Sequence, residues 1–318
     1  MAAAGAGCGD ARGRIGSAVL VLVAVLGAAT ACKGREGATM SNPSDTGRAP
    51  AEKKILDSPV AGSWYPGEAG ALRRELDGYL AAANVTAARH TGARVVGIVS
   101  PHAGYRYSGG VAAHGYRMLQ GQAVRRVIVM GPSHHAAFAG LALPDATHWR
   151  TPLGEMPIDT EAVATLAKSP VFQVRPEVFR REHSVDMQVP FLQVVAPNAA
   201  LVPVVVGQVT PQAEKAAGDA IHALLDEGTV VVASSDFTHY GEDFGYVPFR
   251  TGVPANLKRL ADDALAALKA MDVAAFRGHV DRTGDTICGR HPIAVLMEAL
   301  PRTASAEILK FDTSGSMT

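Results

Sequence analysis

The sequence predicts an α/β protein, a three-layer α/β/α sandwich around a largely parallel or mixed sheet. Two observations lead there. Val95–Val99, Val127–Met130, Leu201–Val206 and Val230–Val232 are continuous apolar runs of strand length, the pattern of strands buried on both faces. Helical stretches lie between them, at Ala69–Ala83, Pro211–Leu225 and Asn256–Met271. With no internal repeat and no second compositional regime, residues 55–318 read as one domain around one sheet.

Taken in order, the chain opens on a segment outside that domain. Arg12 and Arg14 precede an uncharged run from Ile15 to Ala29, followed by Ala29-Thr30-Ala31-Cys32. A positive start, a short apolar stretch and a small-residue cleavage site make residues 1–31 a signal peptide of lipoprotein type, with Cys32 as the lipidated N-terminus. The run falls short of the about 20 residues that span a bilayer. The expected location is therefore the cell envelope after export, with membrane contact only through the leader or its lipid anchor. Residues 32–54, rich in Gly, Ser, Thr, Pro and charge, read as a flexible linker. Beyond them Cys288 is the only cysteine, so the body forms no internal disulfide. Thr210 and Pro211 mark a helix start, and Gly228 follows soon after that helix. Lys plus Arg equal Asp plus Glu at 30 each, so no net field favours nucleic acid.

Three strand runs feed directly into polar loops. Ser100-Pro101-His102-Ala103-Gly104-Tyr105 follows the first, Gly131-Pro132-Ser133-His134-His135 the second, and Ser234-Ser235-Asp236-Phe237-Thr238-His239 the last. Ligand sites of open α/β sheets form beyond the carboxyl ends of the strands, so these loops are expected to converge. Arg181–Met187 adds Glu182, His183 and Asp186 in a short helix ending near Pro190. His183 is either a ligand or a partner that orients one. Cys288, just ahead of a helix over His291–Leu300, has three readings: a nucleophile activated by His291 or a strand-end histidine, a ligand in a mixed nitrogen–sulfur metal site, or a core residue. His90, His114, His148, His222 and His279 read as structural. The chain has no His-Glu-x-x-His, no Gly-x-Ser-x-Gly, no phosphate loop and no Cys-x-x-Cys.

At these loops the sequence resembles the Memo family, known in bacteria as AmmeMemoRadiSam system protein B. The matching stretches are Ala61–Tyr65, Pro101–Tyr105, Gly131–His135, Glu182–Ser184, Ser234–Phe237 with His239, and Thr286–Ile293. The resemblance implies a fold similar to the LigB-type class III extradiol dioxygenases. It also implies that His102, His134 and Cys288 form the metal site, with the cysteine where those enzymes carry a carboxylate. Asp236 and His239 match the remaining pocket residues, His239 falling at the acid/base position. His135, His183 and His291 are expected around that centre. Copper or iron and a redox role are implied with it. Family members usually continue past the last residues of this chain with another strand, so the sheet is expected to lack one at an edge.

The functional expectation is a metal-dependent redox protein. An alternative is a non-catalytic module that captures a small molecule or peptide, with Trp64, Tyr65, Tyr105, Tyr107 and Tyr240 as a recognition wall. A non-haem iron extradiol-type dioxygenase is the third reading. A thiol or zinc hydrolase ranks last, because no general-base glutamate has a familiar spacing.

Overall fold

The structure is a computed structural model that describes residues 18–26, 52–85 and 93–314, the first of these by backbone only. In chain order the elements begin with β1 (Ala18–Leu26), β2 (Ile55–Asp57), α1 (Ala69–Ala82), β3 (Arg94–Ser100), α2 (Tyr105–Met118) and β4 (Arg126–Pro132). Three short strands follow, β5 (Leu141–Leu143), β6 (His148–Thr151) and β7 (Gly154–Pro157), then α3 (Thr160–Leu166) and β8 (Phe172–Val174). Next come α4 (His183–Asp186), α5 (Val189–Val195), β9 (Ala200–Val206), α6 (Pro211–His222) and β10 (Thr229–Ser234). The described chain closes with α7 (Val253–Lys269), α8 (Val273–Thr283), α9 (Arg290–Ala299) and β11 (Ser305–Thr313).

The main sheet has the order β11-β1-β3-β10-β4-β9-β5-β8. Its centre, β3-β10-β4-β9, is parallel, and β1 and β5 enter antiparallel, so the sheet is mixed. A second sheet of three strands, β2-β6-β7, lies apart from it. The four apolar runs are the four central strands, because nearly every residue in them is buried on one face or the other. Val127, Val129, Leu201, Val205, Val230 and Val232 join one core with α1, α2 and α5. Ile128, Met130, Val202, Val204, Val231 and Ala233 point the other way, into a second core with α3 and α6–α9. Two hydrophobic cores on the two faces of one sheet are the three-layer sandwich expected from the runs.

Local signals hold where they are physically strong. Leu72, Leu76 and Leu80 recur every fourth residue on α1 and are its buried stripe, each worth about 1.5–3 kcal/mol on burial. Thr210 caps α6 by accepting from the Ala213 N–H, with Pro211 in the first turn. Pro190 does more than end the short helix before it. It sits in the first turn of α5, where a missing N–H costs nothing.

The ends of the chain bear on two expectations. Over Ala18–Leu26 the apolar run of the expected leader is a strand between β3 and β11. A continuous apolar run satisfies either role, since a leader and a doubly buried strand ask for the same residues. The cleavage site, Cys32 and most of the expected linker lie outside the described residues. β11 forms the edge of the sheet beyond β1. Among the described residues no helix is long and apolar enough to cross a membrane.

Candidate metal centre

The topology explains why residues so far apart in sequence meet. β3 and β4 are consecutive parallel strands, yet β10 lies between them, in register at Ser100↔Ser234 and Met130↔Ala233. The loops after these three strands therefore leave the same sheet edge side by side. Cys288 arrives from the fourth direction, in the turn before α9, where Gly289 N–H donates to Ser235 Oγ at 3.0 Å.

His102, His134 and Cys288 come together, with one ligand atom from each lying within 4.8 Å of the others. His102 is buried, and its Nε2 lies 3.2 Å from Cys288 Sγ. His134 stands at the mouth, its ring 5.1 Å from that of His102. Burial, and then the neighbouring His134, push the His102 pKa well below the ordinary imidazole value, so the ring is neutral. Burial, and then the Asp236 carboxylate, push the Cys288 thiol up, so without a cation the sulfur keeps its proton.

Glu182 holds His134 in place. Its Oε1 accepts from His134 Nδ1 at 2.8 Å and its Oε2 from the His134 backbone N–H at 2.6 Å. A third N–H, from Ser184, reaches Oε1 at 3.0 Å. Burial alone would raise this carboxyl, but the His134 ring and these backbone N–H groups outweigh it and hold the pKa at about 2. Glu182, His134 and His183 also bring ligand atoms within 4.8 Å of one another. With both oxygens already taken, Glu182 acts as an anchor for His134, and in the neutral ring Nε2 is the nitrogen left with the lone pair.

His183 stacks on His134 at 4.4 Å, and its pKa is lowered to about 3, first by burial and then by the other two imidazoles. It is a neutral wall of the pocket. His135 is exposed, with its ring 6.0 Å from His183, at the rim of the cluster. His291 is not at the centre. At the second residue of α9 it turns toward α6, where Nδ1 donates to Glu214 Oε1 at 2.6 Å beside Arg277.

Asp236 and His239 flank the centre in different ways. Asp236 Oδ1 accepts from the backbone N–H of His102 at 2.8 Å and of Ala103 at 3.3 Å, so this buried carboxylate ties β10's loop to β3's. Burial raises its pKa despite those bonds. His239 is clamped by Thr286: the His239 N–H donates to Thr286 Oγ1, Thr286 Oγ1 donates to the His239 carbonyl, and Nδ1 donates to the Thr286 carbonyl. A carbonyl only accepts, so Nδ1 carries a proton, and in the neutral ring Nε2 has the lone pair.

Among the aromatic residues expected as a wall, Tyr65, Tyr105 and Tyr240 are buried, their hydroxyls donating to Asp186, the Met187 carbonyl and the Phe249 carbonyl. Trp64 and Tyr107 stay exposed at 38% and 39%. Trp64 leans on His183 at 4.3 Å, and Phe244, which nothing in the sequence singled out, packs on His239 at 5.3 Å. His114, His148, His222 and His279 all have partners elsewhere, as a structural role requires.

The family model for Memo-like proteins matches residues 57–318 of this chain. The chain belongs to the Memo family. Among curated relatives it is 33% identical to Protein MEMO1 of Xenopus laevis over 75% of this chain and 82% of that one. To Protein MEMO1 of Homo sapiens it is 31% identical over 76% and 82%. Protein memo-1 homolog of Caenorhabditis elegans is 33% identical over 75% of this chain and 69% of its own length. This Memo-family fold thus presents an imidazole–imidazole–thiol cluster at the carboxyl edge of its parallel strands.

Proposed function

We propose that this Memo-family protein is a metal-dependent redox protein that holds copper or iron with His102, His134 and Cys288. One observation carries the reading: three donor atoms within 4.8 Å of one another, from neutral or neutralisable side chains, at the end of parallel strands. The donor set fits such a cation. Two imidazoles and a thiolate suit copper, iron or zinc and disfavour magnesium or calcium. A bound copper or iron ion would supply one-electron chemistry that no side chain of the pocket provides.

The chain's own residues prepare the site. Glu182 fixes the His134 ring through Nδ1 and leaves Nε2 free. Cys288 would give up its proton to solvent on ligating, which leaves the lone pair of the neighbouring His102 Nε2 free for the same cation. His239, held by Thr286 through Nδ1, in its neutral form offers Nε2 to accept a proton from a bound substrate. Asp236 keeps the His102 loop against β10. A sulfur donor in place of a carboxylate argues against ring-cleaving dioxygenase chemistry on this fold.

Metal content tests the proposal directly. Wild-type protein and Cys288→Ala are reconstituted with copper or iron, dialysed and assayed by elemental analysis. The expected result is near-stoichiometric metal in the wild type and a large loss in the variant. Equal, negligible metal in both would overturn it.

A second reading has one observation in its favour. Trp64 and Phe244 are exposed rings seated on His183 and His239, which suits capture of a small molecule or peptide without turnover. Ligand binding that survives chelation would favour that reading, and binding lost with the metal would favour the first. The leader-like N-terminus adds the proposal that residues 1–31 are removed and the protein works in the cell envelope without β1, tested against retention of that strand by fractionation and by labelling of Cys32 with a lipid precursor.

A further inference from the structure

The proton positions around His102 are decided by groups that can only give or only take. Ser234, the last residue of β10, is fully buried and meets three polar partners. Ser234 Oγ lies 2.6 Å from the Ser184 carbonyl, which can only accept, so the single hydroxyl proton goes there. Gln188 Nε2 lies 2.8 Å from the same oxygen and donates to it.

The orientation of that amide is itself fixed. Gln188 Nε2 also donates to the Pro101 carbonyl at 3.0 Å, while Gln188 Oε1 accepts from the Tyr116 hydroxyl at 2.7 Å. A flipped amide would set two carbonyl oxygens against each other. Ser234 Oγ has thus spent its proton and one lone pair. What remains for His102 Nδ1, 2.8 Å away, is a second lone pair.

We infer that Ser234 is a positioning residue that sets the His102 tautomer, forcing the proton onto Nδ1 and leaving Nε2 unprotonated toward Cys288. The wiring begins outside the pocket. The Pro101 carbonyl orients the Gln188 amide, which takes one lone pair of Ser234, the Ser184 carbonyl fixes the Ser234 hydroxyl proton, and Ser234 fixes the ring. The sequence placed Ser234 in a matched stretch but gave it no role, because its partner Gln188 lies far off in the chain and outside every motif. With the proton on Nε2 instead, the ring could not ligate through the atom that faces the sulfur. The inference deepens the proposed metal reading and rests on it only for its purpose, since the tautomer exists in metal-free protein.

The test separates the two. The full chain is labelled with ¹⁵N-histidine, and long-range ¹H–¹⁵N correlation spectra of metal-free protein report which nitrogen of His102 is protonated, assigned with His102→Gln. Wild type is expected to be wholly Nδ1–H. Ser234→Ala removes the acceptor while leaving Cys288 Sγ as the one partner for a ring N–H, so the Nε2–H form should become populated. Gln188→Met disturbs the same buried network but leaves Ser234 able to accept, so the ring should stay Nδ1–H; a merely structural role would make the two variants behave alike. Copper(I) affinity, measured by chelator competition, should fall about 10–100-fold in Ser234→Ala and little in Gln188→Met. An Nε2–H wild type, or an unchanged tautomer in Ser234→Ala, would overturn the inference. The expected tautomers with no uptake of copper(I) or iron(II) by wild type or either variant would support the wiring and overturn the metal reading.

Discussion

Asp186 illustrates how a single buried charge shapes stability. Its carboxylate accepts from Trp149 Nε1 at 2.7 Å, Ser58 Oγ at 2.6 Å and Tyr65 OH at 2.8 Å. Burial nevertheless raises its pKa to about 6, because three neutral donors do not replace bulk water around a charge. A carboxyl raised above its unfolded value favours the folded state most when protonated, so this contribution is greatest below pH 4 and declines as pH rises through 6. Replacing Asp186 with Asn should flatten that part of the profile. Relative to the variant, wild type should lose roughly 3 kcal/mol between pH 4 and pH 7, read from urea unfolding across pH. Glu182 behaves oppositely, since its three N–H donors favour the charged form. Glu182→Gln removes the charge that holds His134, and metal affinity should drop about 10–100-fold with the fold retained, measured by competition with a chelator. The strand-end loops and the lone cysteine drew attention to His102, His134 and Cys288, and the family resemblance named them as one set of candidate donors. The roles of their supports were not legible. Ser234 and Thr286 lie inside matched stretches and Gln188 outside them, but all three act through hydrogen bonds across more than 40 residues of chain, and no local pattern names such a partner.

At the scale of elements, the turn before α9 makes one of the close contacts at the centre. A Cβ on Gly289 would come 2.3 Å from Ser235 Cβ and 2.6 Å from the Ser234 carbonyl, too close for either to yield without backbone movement. Gly289 is there so that α9 can dock against the end of β10, which places Cys288 beside His102. Gly289→Ala should therefore destabilise the protein by about 1–3 kcal/mol, and metal uptake should fall because the thiol is pushed away from the imidazole; thermal unfolding and elemental analysis check the two parts. The central strands and the long helices followed from apolar runs and periodicity. The short strands β5–β8 and the separate sheet did not, because three or four residues hold too little pattern to separate a strand from a loop. His291 shows the same limit. One residue's step around a helix decides whether it faces the centre or α6, and that step is set by how α9 packs.

For the whole molecule, β1 matters most. It pairs with β11 on one side and β3 on the other, so removing it would separate β11 from the sheet and bare the edge of β3. A chain of residues 32–318 should unfold at lower temperature than the full chain and self-associate through that edge, as seen by calorimetry and sedimentation velocity. An unchanged transition and a clean monomer would show that the fold does without the segment. The order of the strands has a further consequence, for the way the protein is born. β10 inserts between two strands made long before it, and the closest pair at the centre, His102 and Cys288, is 186 residues apart. Contacts so distant close late, after the entropy of a long loop has been overcome. A growing chain has no complete set of candidate donors until Cys288 has been made, so under the proposed reading a metal would load only after folding and would report that it has finished.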